Sequence, residues 1–360
     1  MSRLKALGYL LAFITPALMP VSAWLAVHTA QPNLATWFPL FFLFVLLPLA
    51  DYAIGRDASN PDAAEAERLD RGLWFRGLTL ICLPLQLALV YWSCGQFQNL
   101  PLAWNGQLGW LLSQGVVSGV LAINVAHELI HKSSKLEPLV GGLLLCSVNY
   151  AGFKVEHVRG HHLHVSTPAD ASSARFDETV YPFVVRALFK NTRNAWRLEA
   201  ERLRKLGLSA WHWRNELIGW SLVTLAFALI VGVAWGPLGT AFFLAQGLTA
   251  ATTLEIINYI EHYGLERRRL DSGRYERTTH LHSWNSNYLL TNLMLFQLQR
   301  HSDHHETARR RYQALRHYQA SPQLPGGYAS MFLLALLPPL WKRLINPRVL
   351  AFRHRQPAPL

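Results

Sequence analysis

Six apolar runs, each about 20 residues and so long enough to cross a bilayer core, constrain this chain more than anything else in it. They fall at 6–27, 35–54, 74–94, 107–130, 215–235 and 238–260. A lipid interior leaves every backbone N–H and C=O to be satisfied within the chain, so runs of this kind are read as helices. Only 16% of the 360 residues are charged, below the roughly 25% of ordinary soluble domains. Trp37, Trp74, Trp92, Trp104, Trp110, Trp220 and Trp235 stand at the ends of runs, where amphipathic rings anchor a helix at the interface. Segments 28–34, 95–106 and 236–239 contain no Lys or Arg, and the remaining loops hold them all. That asymmetry predicts six spans with both termini in the cytoplasm. It also accounts for a net charge of +12 without a nucleic-acid partner.

The predicted architecture is an all-α, polytopic integral membrane protein forming one domain over 1–360, with cytoplasmic helical regions at 131–214 and 261–360. The apolar stretch from Leu10 to Val27 is too long for a signal-peptide core and reads as a span. Leu139 to Phe153 is shorter and Gly-rich, which suits a buried or re-entrant helix. Tyr328 to Trp341, interrupted by Pro338-Pro339, reads as a surface-lying segment. Arg197, Glu199, Glu201, Arg202 and Arg204 read as a solvated helix face, and the tail beyond Pro347 as frayed.

The fourth run ends in Asn124-Val125-Ala126-His127-Glu128-Leu129-Ile130-His131-Lys132. His127 and His131 are four apart, so on an α-helix they lie on one face and can hold one transition metal. The H-E-x-x-H string by itself also suits a zinc protease. Three further clusters follow: Glu156-His157-Val158-Arg159-Gly160-His161-His162, then His262 at the end of the sixth run, then His301, His304 and His305. Nine of the 16 histidines fall in these four places. Nine imidazoles exceed what one ion coordinates, so two metals are implied. If 156–162 is α-helical, His157 and His161 share a face and His162 stands about 100° round, which would serve two adjacent metals. Glu128, Glu156, Glu261, Asp303 and Glu306 lie beside the histidines and are expected to accept the remaining ring N–H groups, fixing each tautomer. Imidazole suits Zn, Cu, Fe and Ni, and the lack of nearby cysteine disfavours structural zinc. Two metals in a nearly all-nitrogen shell at a membrane surface suggest iron used for oxygen activation. Cys82, Cys94 and Cys146 form no Cys-x-x-Cys, so these residues hold no thiolate iron centre and no redox dithiol.

Taken together, His127 to Lys132, Glu156 to His162, Asn258 to Leu265 and Leu298 to His305 resemble the motif set of the bacterial membrane alkane 1-monooxygenases. Asp271 to Glu276 and His282 to Asn287 extend the likeness, which runs from about residue 10 to residue 350. The resemblance implies a non-haem di-iron site with His127, His131, His157, His161, His162, His262, His301, His304 and His305 as ligands. It implies hydroxylation of the terminal methyl of n-alkanes to primary alcohols by dioxygen, in the inner membrane, with electrons from rubredoxin and its NADH-dependent reductase. Haem, flavin and bound NAD are not expected. His164, Asp170 and His282 match no ligand position and are left out; His28, His212, His280, His317 and His354 read as surface or interfacial residues. Rival readings are a hydroxylase of aromatic methyl groups of the xylene monooxygenase kind, a fatty-acyl desaturase, and a metal transporter. Transport sites lie near the bilayer midplane, whereas these clusters share one face. Arg267-Arg268-Arg269 and Arg309-Arg310-Arg311 suit either lipid headgroups or docking of a small acidic electron carrier.

Chain-length preference in such an enzyme is a question of channel depth, and the second run offers a candidate. Asp51 marks its cytoplasmic end, and Phe44 lies seven residues earlier, roughly 10 Å deeper at about 1.5 Å per residue. Phe41, Phe44 and Pro48 form one stripe, so Phe44 either faces inward and stops a substrate tail or packs against lipid or another helix.

Overall fold

The computed structural model describes residues 3–355. Twelve helices in chain order organise it: α1 (Arg3–His28), α2 (Phe38–Ile54), α3 (Leu73–Asn99), α4 (Trp104–Leu129), α5 (Leu136–Cys146), α6 (152–164), α7 (Val180–Arg204), α8 (Glu216–His262), α9 (Leu289–Met294), α10 (His301–Glu306), α11 (Tyr328–Ala335) and α12 (Pro338–Arg355). No β-strand occurs among the described residues, only isolated bridges such as Arg56 with Tyr288. Four helices, α1, α3, α4 and α8, are long and apolar enough to cross a membrane, and α2 and α5 are shorter apolar helices.

The fifth and sixth apolar runs are the two arms of α8. They meet at Gly236, whose φ of 64° lies in the left-handed region that side chains disfavour, and Pro237 then opens the second arm with its fixed φ. The second arm lies against α4, and Gly115 makes the close approach possible: a Cβ there would meet Thr249 at 2.3 Å. Between α3, α4, α5 and α8 runs a buried polar seam. Gln86 Nε2 donates to Ser118 Oγ (3.1 Å) and Ser147 Oγ (3.2 Å), Ser93 Oγ to Gln114 Oε1 (2.6 Å), and Gln246 Nε2 to the Ser147 carbonyl (2.9 Å). Such bonds are worth only about 0.6 kcal/mol each on average within a bilayer, but they fix which helix faces meet.

Three expectations need correcting. Tyr328 to Trp341 does not lie on the surface; Tyr328, Met331, Phe332, Ala335 and Trp341 are buried, with Tyr328 and Phe332 of α11 lining a cavity described below and Trp341 of α12 packed on Tyr259 and Tyr263. Glu199 is not part of a solvated face. Its side chain is fully buried and takes Arg159 (2.7 Å), Arg202 (2.5 Å) and the Glu216 N–H (2.9 Å). Burial would raise its carboxyl, yet the Arg202 and Arg159 guanidinium groups bring it down to about 2. Finally, α12 continues through Pro347 to Arg355; the rest of the tail, 356–360, lies outside the described residues.

Candidate metal centre

All nine histidines of the four clusters gather where α4, α6, α8 and α10 converge. Two of these helices reach the centre through a π turn, a single wide turn holding one residue more than the α ladder and found often at functional sites. In α4 it spans Gly119–Ile123, just before His127. In α6 it spans His157–His161, and the His162 N–H bonds to the His157 carbonyl. The wide turn places residues five apart above one another. His157 therefore aligns with His162 rather than with His161, which an α-helix would have paired.

The ring nitrogens form two groups. His127, His131, His157, His162 and His304 make one, and His161, His262, His301 and His305 the other, with the ligand atoms of each group within 4.8 Å of one another. Nε2 of His157 and His162 approach to 3.0 Å, His301 and His305 to 2.9 Å, His161 and His305 to 3.2 Å, and His262 and His301 to 3.2 Å. Two ligands at about 2.1 Å from a metal stand about 3.0 Å apart at a right angle and about 3.4 Å apart at the tetrahedral angle. One pair in each group, at 3.0 and 2.9 Å, matches right-angled neighbours on one metal, and the two pairs at 3.2 Å lie midway between the two geometries. Nε2 of His127, His131 and His304 are buried with no hydrogen-bond partner, a cost that a bound cation removes. Burial and the neighbouring imidazoles hold His157, His162, His301, His304 and His305 well below the ordinary histidine range, in the neutral form that ligates.

The carboxylates are arranged differently from expectation. Glu128 pairs with Lys132 (2.8 Å) and accepts the Tyr312 N–H (3.2 Å). Asp303 takes Arg310, the Arg316 N–H (2.8 Å) and the Tyr318 hydroxyl (3.2 Å), and Glu306 takes His280 (3.1 Å). Glu128 and Asp303 stitch the loop after α10 to the body, Glu306 ties α10 to the segment before it, and none of the three rests on a histidine of the two groups. Glu156 is buried with Oε2 unpartnered, and Glu261 stands with Oε2 3.3 Å from His301 Nε2, on the side of the ring where the group converges. The acid that does orient a ring is Asp170, which the sequence reading left out. Its Oδ2 lies 3.0 Å from His161 Nδ1 and accepts Ser173 Oγ–H (2.6 Å), and its Oδ1 accepts the Ser172 N–H (3.1 Å). Burial would raise this carboxyl; the His161 ring and Ser173 bring it below the usual range. Asp170→Ala should weaken metal retention in the four-histidine group by roughly 10–100-fold, and Asp170→Asn by less, measured as metal released to a competing chelator.

Below the metal groups lies an apolar cavity. His127, Asn124, Asn258 and Glu261 form its metal end, and Val116, Gly119, Leu43 and Phe44 lie in its deeper wall. From His127 to Val116 is eleven residues of α4, roughly 16 Å at about 1.5 Å per residue. Phe44 lines this cavity and stacks on Phe332 of α11 with ring centroids 4.7 Å apart. A third π turn, Phe42–Leu46, carries it. Pro48 explains that turn, since it has no N–H to give the Phe44 carbonyl. His164 and His282 stay outside both groups; His282 Nε2 meets Glu276 at 3.3 Å. The arginine triplets are partly used internally: Arg311 pairs with Glu137 (2.6 Å), Arg310 with Asp303, and Arg267 with the Glu276 carbonyl (2.7 Å).

A helical membrane protein with two buried histidine groups is the class this fold and site define, and residues 102–335 match the fatty acid desaturase family model. The chain is 54% identical to alkane 1-monooxygenase 2 of Pseudomonas aeruginosa, over 98% of this chain and 94% of that protein. It is 49% identical to alkane 1-monooxygenase 2 of Alcanivorax borkumensis, over 98% and 93%. Identity to the xylene/toluene monooxygenase hydroxylase component of Pseudomonas putida is 31%, over 70% and 67%. The chain belongs to the alkane 1-monooxygenase family.

Proposed function

We propose that this protein is a membrane-bound non-haem di-iron monooxygenase that hydroxylates the terminal methyl of n-alkanes to primary alcohols. The observation that carries this reading is the apolar cavity ending against His127, one of nine imidazoles in two groups, seven of them buried. The higher identity to alkane than to xylene oxygenases supports a linear substrate. The five-histidine and four-histidine groups would each hold one iron, and the pair supplies the activation of dioxygen. The chain's own residues do the rest. Leu43, Phe44, Leu47, Val116 and Leu254 bind the alkane through buried methylenes, each worth roughly 0.8 kcal/mol. A narrow apolar bore presents the chain end-on to His127 and excludes bulk water. Asp170 holds His161 in one tautomer.

Six spans in the bacterial inner membrane, with both termini and the metal groups on the cytoplasmic side, suit the Lys/Arg-free loops. The exposed arginines of the two triplets then face lipid headgroups or an acidic electron carrier. Cys82, Cys94 and Cys146 are buried and unpaired, so these three thiols form no redox centre, and in this reading rubredoxin supplies the electrons. Purified protein should hold two irons per chain. With NADH alone it should not convert octane or decane, and adding rubredoxin with its reductase should start octanol or decanol formation. Turnover with NADH and reductase in rubredoxin-free samples would contradict that electron route, and iron-free active protein would contradict the whole reading.

A further inference from the structure

Terminal hydroxylation takes one alkane, one dioxygen, two electrons and two protons to one alcohol and one water. The electrons arrive from an external donor, but the protons must reach a centre whose histidines are buried and whose cavity is apolar. A second recess lies between the start of α6, α7 and the first arm of α8. Its lining includes Asn149, Tyr150, Asn191, Thr192, Ser221 and Thr224, with Thr192 and Ser221 exposed at the mouth. The Lys154–Glu216 ion pair (2.5 Å) joins α6 to the start of α8, next in sequence to the lining residues Phe153 and Leu217. Asn149 Oδ1 and Asn191 Oδ1 are buried with no protein partner, and Asn191 is only 2% exposed. Buried acceptors of that kind are commonly satisfied by ordered water.

The inner wall of this recess is joined to the metal-side cavity by one side chain. Tyr150 Oη donates to Glu255 Oε1 at 2.6 Å, and Asn191 Nδ2 donates to the same oxygen at 3.2 Å. Glu255 Oε2 accepts Asn258 Nδ2 at 3.1 Å, and Asn258 lines the apolar cavity beside His127 and Glu261. Glu255 is completely buried in an apolar helix, and none of these three partners is a cation. An ionisable residue in that position is expensive and marks an ion or proton path by default. Glu156 and His161 also lie within electrostatic reach of it.

We propose that Tyr150 and Glu255 form the proton inlet of the oxygenase. This rests on the di-iron oxygenase reading above. The Glu255 carboxyl passes its proton, through water held at the Asn258 amide, toward the reacting oxygen. Tyr150 returns a proton to the Glu255 carboxylate, and water in the recess returns one to the Tyr150 oxygen. Each pass moves one proton inward and no electron, and two passes supply the water that leaves with the alcohol.

The test compares wild type, Glu255→Gln, Glu255→Asp and Tyr150→Phe, each purified with iron and supplied with octane, rubredoxin, reductase and NADH. Iron per chain and octanol formation are measured in H2O and in D2O. Glu255→Gln keeps the shape and an acceptor but carries no transferable proton. It should retain iron, slow at least about tenfold, and raise the solvent isotope effect above about 2. Glu255→Asp should recover part of the rate. An iron-replete Glu255→Gln with the wild-type rate and isotope effect overturns the inlet. If Glu255→Gln loses iron, the near-isosteric Tyr150→Phe decides by the same two readings, and a wild-type result there overturns the inlet as well. Wild type that forms no octanol overturns the oxygenase reading and the inlet with it, whereas active wild type matched by both variants overturns the inlet alone.

Discussion

Replacing His161 with alanine should release one of two metals and reduce octane hydroxylation to background. His161 is one of only four histidines in its group, so its loss leaves three nitrogen ligands. It also strands Asp170, a fully buried carboxylate whose ring partner sits at 3.0 Å. An uncompensated buried charge costs several kcal/mol, so the empty site collapses rather than waiting for metal. The activity loss should exceed the roughly 10–100-fold that removal of an outer hydrogen-bond partner brings. His304 belongs to the five-histidine group, and His304→Ala leaves four ligands there. That variant should lose iron less completely, yet still fall well below wild type in turnover. Iron per chain and octanol formed per minute, measured on the same preparation, decide both cases. A fully active His304→Ala with unchanged iron would remove His304 from the ligand set.

Phe44→Ala should lengthen the accepted alkane by several carbons while largely sparing activity on shorter ones. Phe44 lines the deeper wall of the cavity and stacks on Phe332, so truncation opens space where an alkane tail would end. Each further methylene buried there adds roughly 0.8 kcal/mol of binding. The stacked pair also contributes to stability, so a cost approaching the roughly 3–5 kcal/mol of a buried Phe→Ala change is the upper bound. The converse variant narrows the same deeper part of the cavity from α4. A Cβ at Gly119 would meet Thr253 at 3.4 Å, an ordinary contact. The first atom of a new side chain is thus accommodated, and Gly119→Leu should fill the bore and cut off the longer substrates. Product profiles over a ladder of n-alkanes check both. An unchanged profile in iron-replete Phe44→Ala would place Phe44 outside the substrate path.

The histidine set was legible because its four clusters are local in the chain and share one side of every predicted span. Their division into two groups was not, because it depends on a π turn at His157–His161 that a 3.6-residue period cannot anticipate. Asp170 was missed for a related reason. It lies nine residues beyond His161, in a loop, and its only local signal is the hydroxyl-rich stretch from Ser166 to Ser173 that hydrogen-bonds it. Pro338-Pro339 disguised the burial of α11 and α12, since paired prolines read as a surface break. In Glu199 the charge pattern of α7 concealed a carboxylate that three donors from separate segments bury.

The wide turns at Phe42–Leu46, Gly119–Ile123 and His157–His161 have a consequence for how the gene can vary. Each is a helix counted one residue too long for its own ladder, and dropping that residue would restore a regular and locally better-bonded helix. Five residues of a wide turn cover nearly the angle that four cover in an α-helix, so that deletion would leave the helix beyond it close to its old phase. In α4, His127 and His131 would then keep facing their partners. The same deletion from a regular turn next to it would advance everything beyond by about 100° and swing them away. Within Gly119–Ile123 a frame-preserving loss of one codon should therefore be better tolerated than the same loss in the regular turns on either side of it.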